Sequence, residues 1–212
     1  MIRFDHVTKQ FSGIVHPALE DVTVEIGDGE FVFLIGPSGA GKSTFLRCIL
    51  RDVIPTSGVV TVNDWNTAKI PSGKIHIFRR QIGMVFQDFK LLTDRTVEEN
   101  IALSVEILGK PKSEIISRVN EVLDLVDLSD KAKYFPLQLS AGELQRISIA
   151  RAIAGGPAIL LADEPTGNLD PETGWGIMEI LKEINAMGTT IIMATHNDSF
   201  VDDLVASGVT PG

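Results

Sequence analysis

The sequence predicts an α/β fold: a sheet of parallel strands with helices packed on it, preceded by a strand-rich segment and interrupted by a helical lobe. Three observations carry this. Apolar strands alternate with helices over the last third of the 212 residues, the order that builds a parallel sheet. A glycine-rich loop follows one apolar strand and opens a helix. Three apolar strands end at chemically loaded residues, at Gly36 onward, at Asp163-Glu164 and at Thr195-His196. Parallel sheets bind their ligands beyond the carboxyl ends of the strands.

In chain order, Val22, Val24 and Ile26 alternate with Thr23 and Glu25, the period of a half-buried strand. Residues 31–35 form a continuous apolar run rich in β-branched and aromatic side chains, which suits a strand buried on both faces. Residues 58–62 and 82–86 are further strand candidates. Residues 97–108 read as a helix that ends at Gly109-Lys110-Pro111. Ile115, Ile116, Val119, Val122, Leu123 and Val126 recur at the spacing of an amphipathic helix. These segments place a helical subdomain at about residues 88–156 within a single domain of residues 1–212. Residues 159–162 are a buried strand, 173–186 a helix with Ile177, Ile180, Leu181 and Ile184 on one face, and 190–194 another buried strand.

Composition narrows the function classes. Hydrophobic residues make up 44% and charged residues 22%, as in an ordinary folded chain. Apolar runs such as 31–35 and 159–162 fall far short of the roughly 20 residues that a bilayer span needs. The start, Met1-Ile2-Arg3-Phe4-Asp5-His6, has no basic-then-apolar export signal, so a cytoplasmic location is expected. Cys48 is the one cysteine, which excludes an intramolecular disulfide and fits a reducing compartment. Net charge is −9 without a long basic run, so no nucleic-acid partner is expected.

The loop Gly36-Pro37-Ser38-Gly39-Ala40-Gly41-Lys42-Ser43-Thr44 matches G-x-x-x-x-G-K-[ST] in full. Its glycines let successive backbone N–H groups turn towards phosphate oxygens, and the helix that follows adds its positive amino end. Lys42 is expected on the β- and γ-phosphates and Ser43 on Mg²⁺. Asp163, at the end of a buried strand, is a second candidate for Mg²⁺, and Glu164 is placed to act as general base on an attacking water. His196, at a third strand end, is a candidate for a hydrogen bond to the γ-phosphate or that water. Gln87 follows the strand 82–86 and is a candidate for Mg²⁺ or water contact. Ser140-x-x-Glu143 before Ile147 and Ile149 is a helix capping box.

The run Leu139-Ser140-Ala141-Gly142-Glu143-Leu144-Gln145-Arg146 resembles the signature motif of ABC ATPases. With the phosphate loop, Gln87, Asp163-Glu164, Gly167-Asn168-Leu169-Asp170 and His196, the family's motifs stand in family order over nearly the whole chain to about residue 200. The resemblance implies a P-loop NTPase with a mixed sheet core, an antiparallel N-terminal β part and an inserted helical lobe. It implies Mg-dependent hydrolysis of ATP by a homodimer in which Ser140, Gly142 and Glu143 of one copy meet the γ-phosphate of ATP on the other. Asp170 is carried over as a further nucleotide-site residue, and Phe11 as the aromatic that stacks on adenine. Two residues depart from the pattern: Ala141 where the family usually has Gly, and Glu143 where it often has Gln. Ala141 is expected to crowd the phosphate and to restrict φ.

Within the family the chain looks most like the cell-division ATPases of the FtsE type. Gln87-Asp88-Phe89-Lys90-Leu91-Leu92 and Ala194-Thr195-His196-Asn197 carry this resemblance. It implies an FtsX-like integral membrane partner, a peripheral place on the inner face of the cell membrane, control of cell-wall hydrolases, and contact with other division proteins. Asp88, Phe89, Leu91 and Leu92 are the expected partner surface. The alternatives are the ATPase subunit of a lipoprotein-release or macrolide-type exporter, and a nucleotide-gated scaffold with little hydrolysis. Residues 205–212 do not resemble the FtsE continuation and carry no reading.

Overall fold

Apolar residues on both faces of the central strands decide the layering. The structure, a computed structural model, describes residues 1–196; Asn197, the segment 200–204 and the tail to 212 lie outside the described residues. In chain order the elements are β1 (Ile2–Lys9), β2 (Leu19–Ile26), β3 (Phe31–Ile35), α1 (Lys42–Ile49), β4 (Ser57–Val62), β5 (Trp65–Asn66), α2 (Ile75–Arg79), β6 (Ile82–Val85), α3 (Val97–Glu106), α4 (Lys112–Leu125), α5 (Ala141–Ala154), β7 (Ile159–Asp163), α6 (Pro171–Ala186) and β8 (Thr190–Thr195). Antiparallel and parallel strands keep to separate sheets. The first has the order β2-β1-β4-β5 and the second β3-β8-β7-β6; the first is antiparallel and the second parallel in every pairing among the described residues.

The parallel sheet separates two cores. Leu160, Ala162, Ile191 and Met193 point to one side, where they pack with α3, α4, α5 and α6. Ile159, Leu161, Ile192 and Ala194 point to the other, where they meet α1 and the antiparallel sheet. Strand residues alternate faces, so two apolar cores require the unbroken apolar runs of the sequence. Phe4 of β1 stacks on Phe45 of α1 with ring centroids 4.0 Å apart, joining the antiparallel sheet to the helix behind the phosphate loop.

Some expectations shift. Ile35 is half exposed at the end of β3, where the chain leaves the sheet for the loop. Ile116 is 52% exposed while Val119, Val122 and Leu123 are buried, so the buried stripe of α4 runs beside Ile116. The helix expected to reach 108 stops at Glu106. β1 gave little signal in the sequence because a register irregularity between Phe4 and Val7, with His6 at φ 48°, interrupts its alternation.

The segment between β6 and α3 is held from within. The Asn100 side chain is fully buried in α3. Its Nδ2 donates to the carbonyls of Leu92 (3.0 Å), Arg95 (3.2 Å) and Thr96 (3.0 Å), and its Oδ1 accepts from the Leu92 N–H at 2.9 Å. Asn100→Ala removes the partner of the Leu92 N–H and the Arg95 carbonyl, while the Leu92 and Thr96 carbonyls keep a backbone donor, so it is expected to cost about 1–3 kcal/mol, read as a lower denaturant midpoint at unchanged slope.

Candidate functional site

The parallel register brings three strand ends together. Ile35 pairs with Thr195 and Asp163 with Ala194, so the loop 36–41, the acidic pair and His196 leave one edge of the sheet side by side. Gly41, at the start of α1, has φ 91°, and a Cβ on it would stand 2.1 Å from the Ala18 carbonyl oxygen. Only glycine fits there. The α3, α5 and α6 amino ends are capped by the side chains of Thr96, Ser140 and Asp170. α1 has no side-chain cap. Its first N–H groups and its positive end therefore serve the loop, which is the arrangement that binds phosphate.

A cavity of about 620 Å³ lies over this loop, lined by residues 37–44 with Ala18, Gln87, Glu164 and His196. The Lys42 ammonium donates to the carbonyls of Gly36 (2.6 Å) and Pro37 (3.2 Å) and stands 3.5 Å from Glu164 Oε1. Both side chains are largely buried, which strengthens their attraction. The other Glu164 oxygen, Oε2, lies 2.7 Å from His196 Nδ1. Glu164 adopts φ 50°, an uncommon conformation for a non-glycine residue. A hydrogen bond from its N–H to the Ala194 carbonyl, 2.9 Å long, ties it to β8. Such backbone strain concentrates where a side chain must be aimed.

Ser43 Oγ donates to Asp163 Oδ1 at 3.1 Å. Burial pushes the Asp163 carboxyl above its ordinary value, opposed in part by the Ser43 hydroxyl. Gln87 and Asp163 line a neighbouring cavity together with Asn168. A hydroxyl, a carboxylate and an amide are hard oxygen donors, the set that suits Mg²⁺. No group of three or more His, Cys, Asp or Glu side chains among the described residues is arranged to hold a metal ion by itself. The protein donors therefore fit a cation that shares its coordination with substrate phosphates, not one caged by protein alone.

Ser140, Gly142, Glu143 and Asp170 gather elsewhere, around a second cavity of about 490 Å³ that has no lining residue in common with the first. The capping box of α5 forms: Ser140 Oγ accepts from the Glu143 N–H, and Glu143 Oε2 accepts from the Ser140 N–H at 2.8 Å. A Cβ on Gly142 would meet Thr173 Cγ2 of α6 at 2.5 Å, so glycine lets the amino ends of α5 and α6 approach. Ala141 is an exposed first residue of the helix with φ in the negative range. The expected restriction of φ therefore has no consequence, because the departure falls where alanine is at ease.

Residues 19–167 match the family described as ABC transporter. The chain belongs to the ABC transporter family. The ABC relatives include the cell division ATP-binding protein FtsE of Mycobacterium tuberculosis, 52% identical over 204 residues, covering 96% of this chain and 89% of the relative. FtsE of Escherichia coli K12 is 47% identical over 201 residues, covering 95% and 90%. Among solved ABC structures, the dimeric post-hydrolysis state of the cassette MJ0796 bound to ADP and Pi superposes with a TM-score of 0.86 at 38% identity, covering 94% of this chain and 89% of that one. The chain is thus an ATP-binding and ATP-hydrolysing ABC cassette.

Phe11 packs partly against the antiparallel-sheet core with the Lys9 ammonium 4.9 Å over its ring and is not among the residues lining the two cavities. Ala18 lines the loop cavity, and its sequence context carried no signal for that. Of the expected partner surface, Asp88 and Leu92 are exposed, whereas Leu91 packs inward against the helical core. Sequence reasoning also missed Arg151 of α5, whose guanidinium donates to the carbonyls of Lys90 (2.7 Å) and Phe89 (2.8 Å). Both carbonyls belong to left-handed residues, φ 58° at Phe89 and 51° at Lys90. Arg151 thereby fixes the strap after Gln87 to the helix that begins at the signature.

The Glu143 carboxyl is held down to about 2 from its ordinary 4.5, first by the Ser140 backbone N–H and then by Lys131. A depressed carboxyl stabilises the fold above its unfolded value and loses that contribution as pH falls through its folded one. Between pH 4.5 and about 2 the melting temperature of the wild type is therefore expected to fall more steeply than that of Glu143→Gln. Equal slopes would show that this carboxylate makes no net contribution.

Proposed function

We propose that this chain is the ATPase subunit of a cell-division complex of the FtsEX kind, in which ATP-driven closure of a homodimer acts on an FtsX-like membrane protein and through it on cell-wall hydrolases. The observation that carries the reading is 47–52% identity to FtsE proteins over at least 95% of the chain in its longest matches. No helix among the described residues is long and apolar enough to cross a membrane. Attachment to the inner face of the membrane would therefore run through the partner, and contacts with other division proteins would follow from it. The exposed Asp88 and Leu92, on the strap held by Asn100 and Arg151, are the surface offered to that partner.

In the proposed reaction the loop N–H groups, the α1 amino end and Lys42 hold the β- and γ-phosphates. Ser43, Asp163 and Gln87 would hold Mg²⁺, which would supply charge neutralisation on the phosphate oxygens. Glu164 takes a proton from water as the water oxygen bonds to the γ-phosphorus and the bond to the β-bridging oxygen breaks. His196, on Glu164 Oε2, orients that carboxylate. Ser140 and Gly142 of the second copy close the site, which agrees with the separation of the two cavities within one chain.

Glu164→Gln keeps the shape and removes the base, so steady-state ATP turnover is expected to fall by about 100-fold or more. Turnover equal to wild type removes Glu164 from this role. For the cellular assignment, the tagged chain recovered from detergent-extracted membranes of its own host is expected to bring down a multi-span protein of the FtsX type. Recovery of a solute transporter in its place overturns the division reading.

A further inference from the structure

The cavity at the amino end of α5 is lined by three carboxylates, Asp127, Glu143 and Asp170, against one guanidinium, Arg146. Arg146 is engaged with the Val126 carbonyl at 3.0 Å. Asp170 is engaged as the cap of α6, accepting from the Thr173 N–H at 3.0 Å and the Thr173 hydroxyl at 2.6 Å. Glu143 stands in the first turn of α5. A polyphosphate approaching this end is attracted by two helix amino termini and repelled by the Glu143 carboxylate, which stays ionised at neutral pH.

Lys131 addresses that repulsion. It ends the short helical turn Ser129–Lys131, and its ammonium donates to Glu143 Oε1 at 2.9 Å. The pair is partly exposed to solvent. The ring of Tyr134, 5.3 Å from the ammonium, supports it. The two carboxylate oxygens divide the work. Oε2 takes the Ser140 N–H and hydroxyl and holds the cap, while Oε1 takes Lys131 and gives up its charge to the pair.

We propose that Lys131 is a charge-compensating positioning residue of the two-copy nucleotide site: it cancels the Glu143 carboxylate so that the amino end of α5 attracts the triphosphate carried by a second copy of this chain. The inference rests on the reading that this end closes over the partner copy's ATP. It assigns Lys131 no contact with the phosphate.

The test is a double-mutant cycle on the full chain, reading ATP turnover against protein concentration to obtain the apparent association constant of the ATP-bound dimer. Lys131→Gln is expected to weaken association by about tenfold, the scale of one partly screened charge interaction. Lys131→Arg keeps the charge and is expected to associate as wild type does. Glu143→Gln is measured alone and with Lys131→Gln, and once the carboxylate is gone the loss of Lys131 is expected to change association by no more than about twofold. That small effect also shows that loss of the lysine leaves the fold intact. A tenfold loss on adding Lys131→Gln to Glu143→Gln overturns the proposal, since Lys131 would then touch the phosphate or prop up its turn. Wild-type association by Lys131→Gln alone overturns it as well. Wild-type turnover per chain that does not rise with protein concentration refutes the two-copy site itself, and is seen before any variant is made.

Discussion

The place of β8 between β3 and β7 is the constraint on which the rest of the site depends. β8 pairs with both neighbours in parallel over its length, and every one of its residues is buried. That pairing sets Thr195 level with Ile35 and Ala194 level with Asp163. A slip of one residue would turn every side chain of the strand to the other face. It would also carry His196 away from Glu164 and open the bond by which the Ala194 carbonyl holds Glu164 in its left-handed conformation. The chemistry at the sheet edge is thus fixed by apolar strands that touch no ligand.

The helical lobe extends this control to the second cavity. α5 starts at the signature, passes Arg151 and ends in the core shared with α3 and α4. Arg151 holds two carbonyls of the strap that follows Gln87, and burial lowers its proton affinity without freeing it from them. Asn100 holds the far end of the same strap. The strap and the helix that begins at the signature are therefore joined by direct hydrogen bonds, so that under the proposed function a displacement of the strap by a membrane partner would bear on α5.

Much of this was legible from residue order. The unbroken apolar runs at residues 31–35 and 159–162 are what a sheet with a core on each face requires, and the glycine loop and acidic pair at their ends follow from strand termini. The capping box at Ser140 and Glu143 was legible because it is local in sequence. What was not legible is what depends on distant contacts. Gly41 is required by the Ala18 carbonyl, Gly142 by the Thr173 methyl, and Lys131 meets Glu143 only after the chain turns twice.

One further relation concerns how a chain of net charge −9 binds a polyanion. The loop N–H groups, the amino end of α1 and Lys42 offer attraction to such a ligand, and the partial charges of the first two add nothing to the net count. Two carboxylates nonetheless stand at these walls, Glu164 beside the phosphate loop and Glu143 in the cap of α5. Each is held by a lysine from another part of the chain, Glu164 by Lys42 at 3.5 Å and Glu143 by Lys131 at 2.9 Å. The same pairing recurs on both walls, although one wall belongs to the phosphate loop and the other to the signature helix. A carboxylate whose charge is met by a neighbour can keep its hydrogen-bonding function close to phosphate at little electrostatic cost. That solution lets an acidic cassette accommodate Glu143 at the amino end of α5, the end proposed above to close over a second copy's nucleotide.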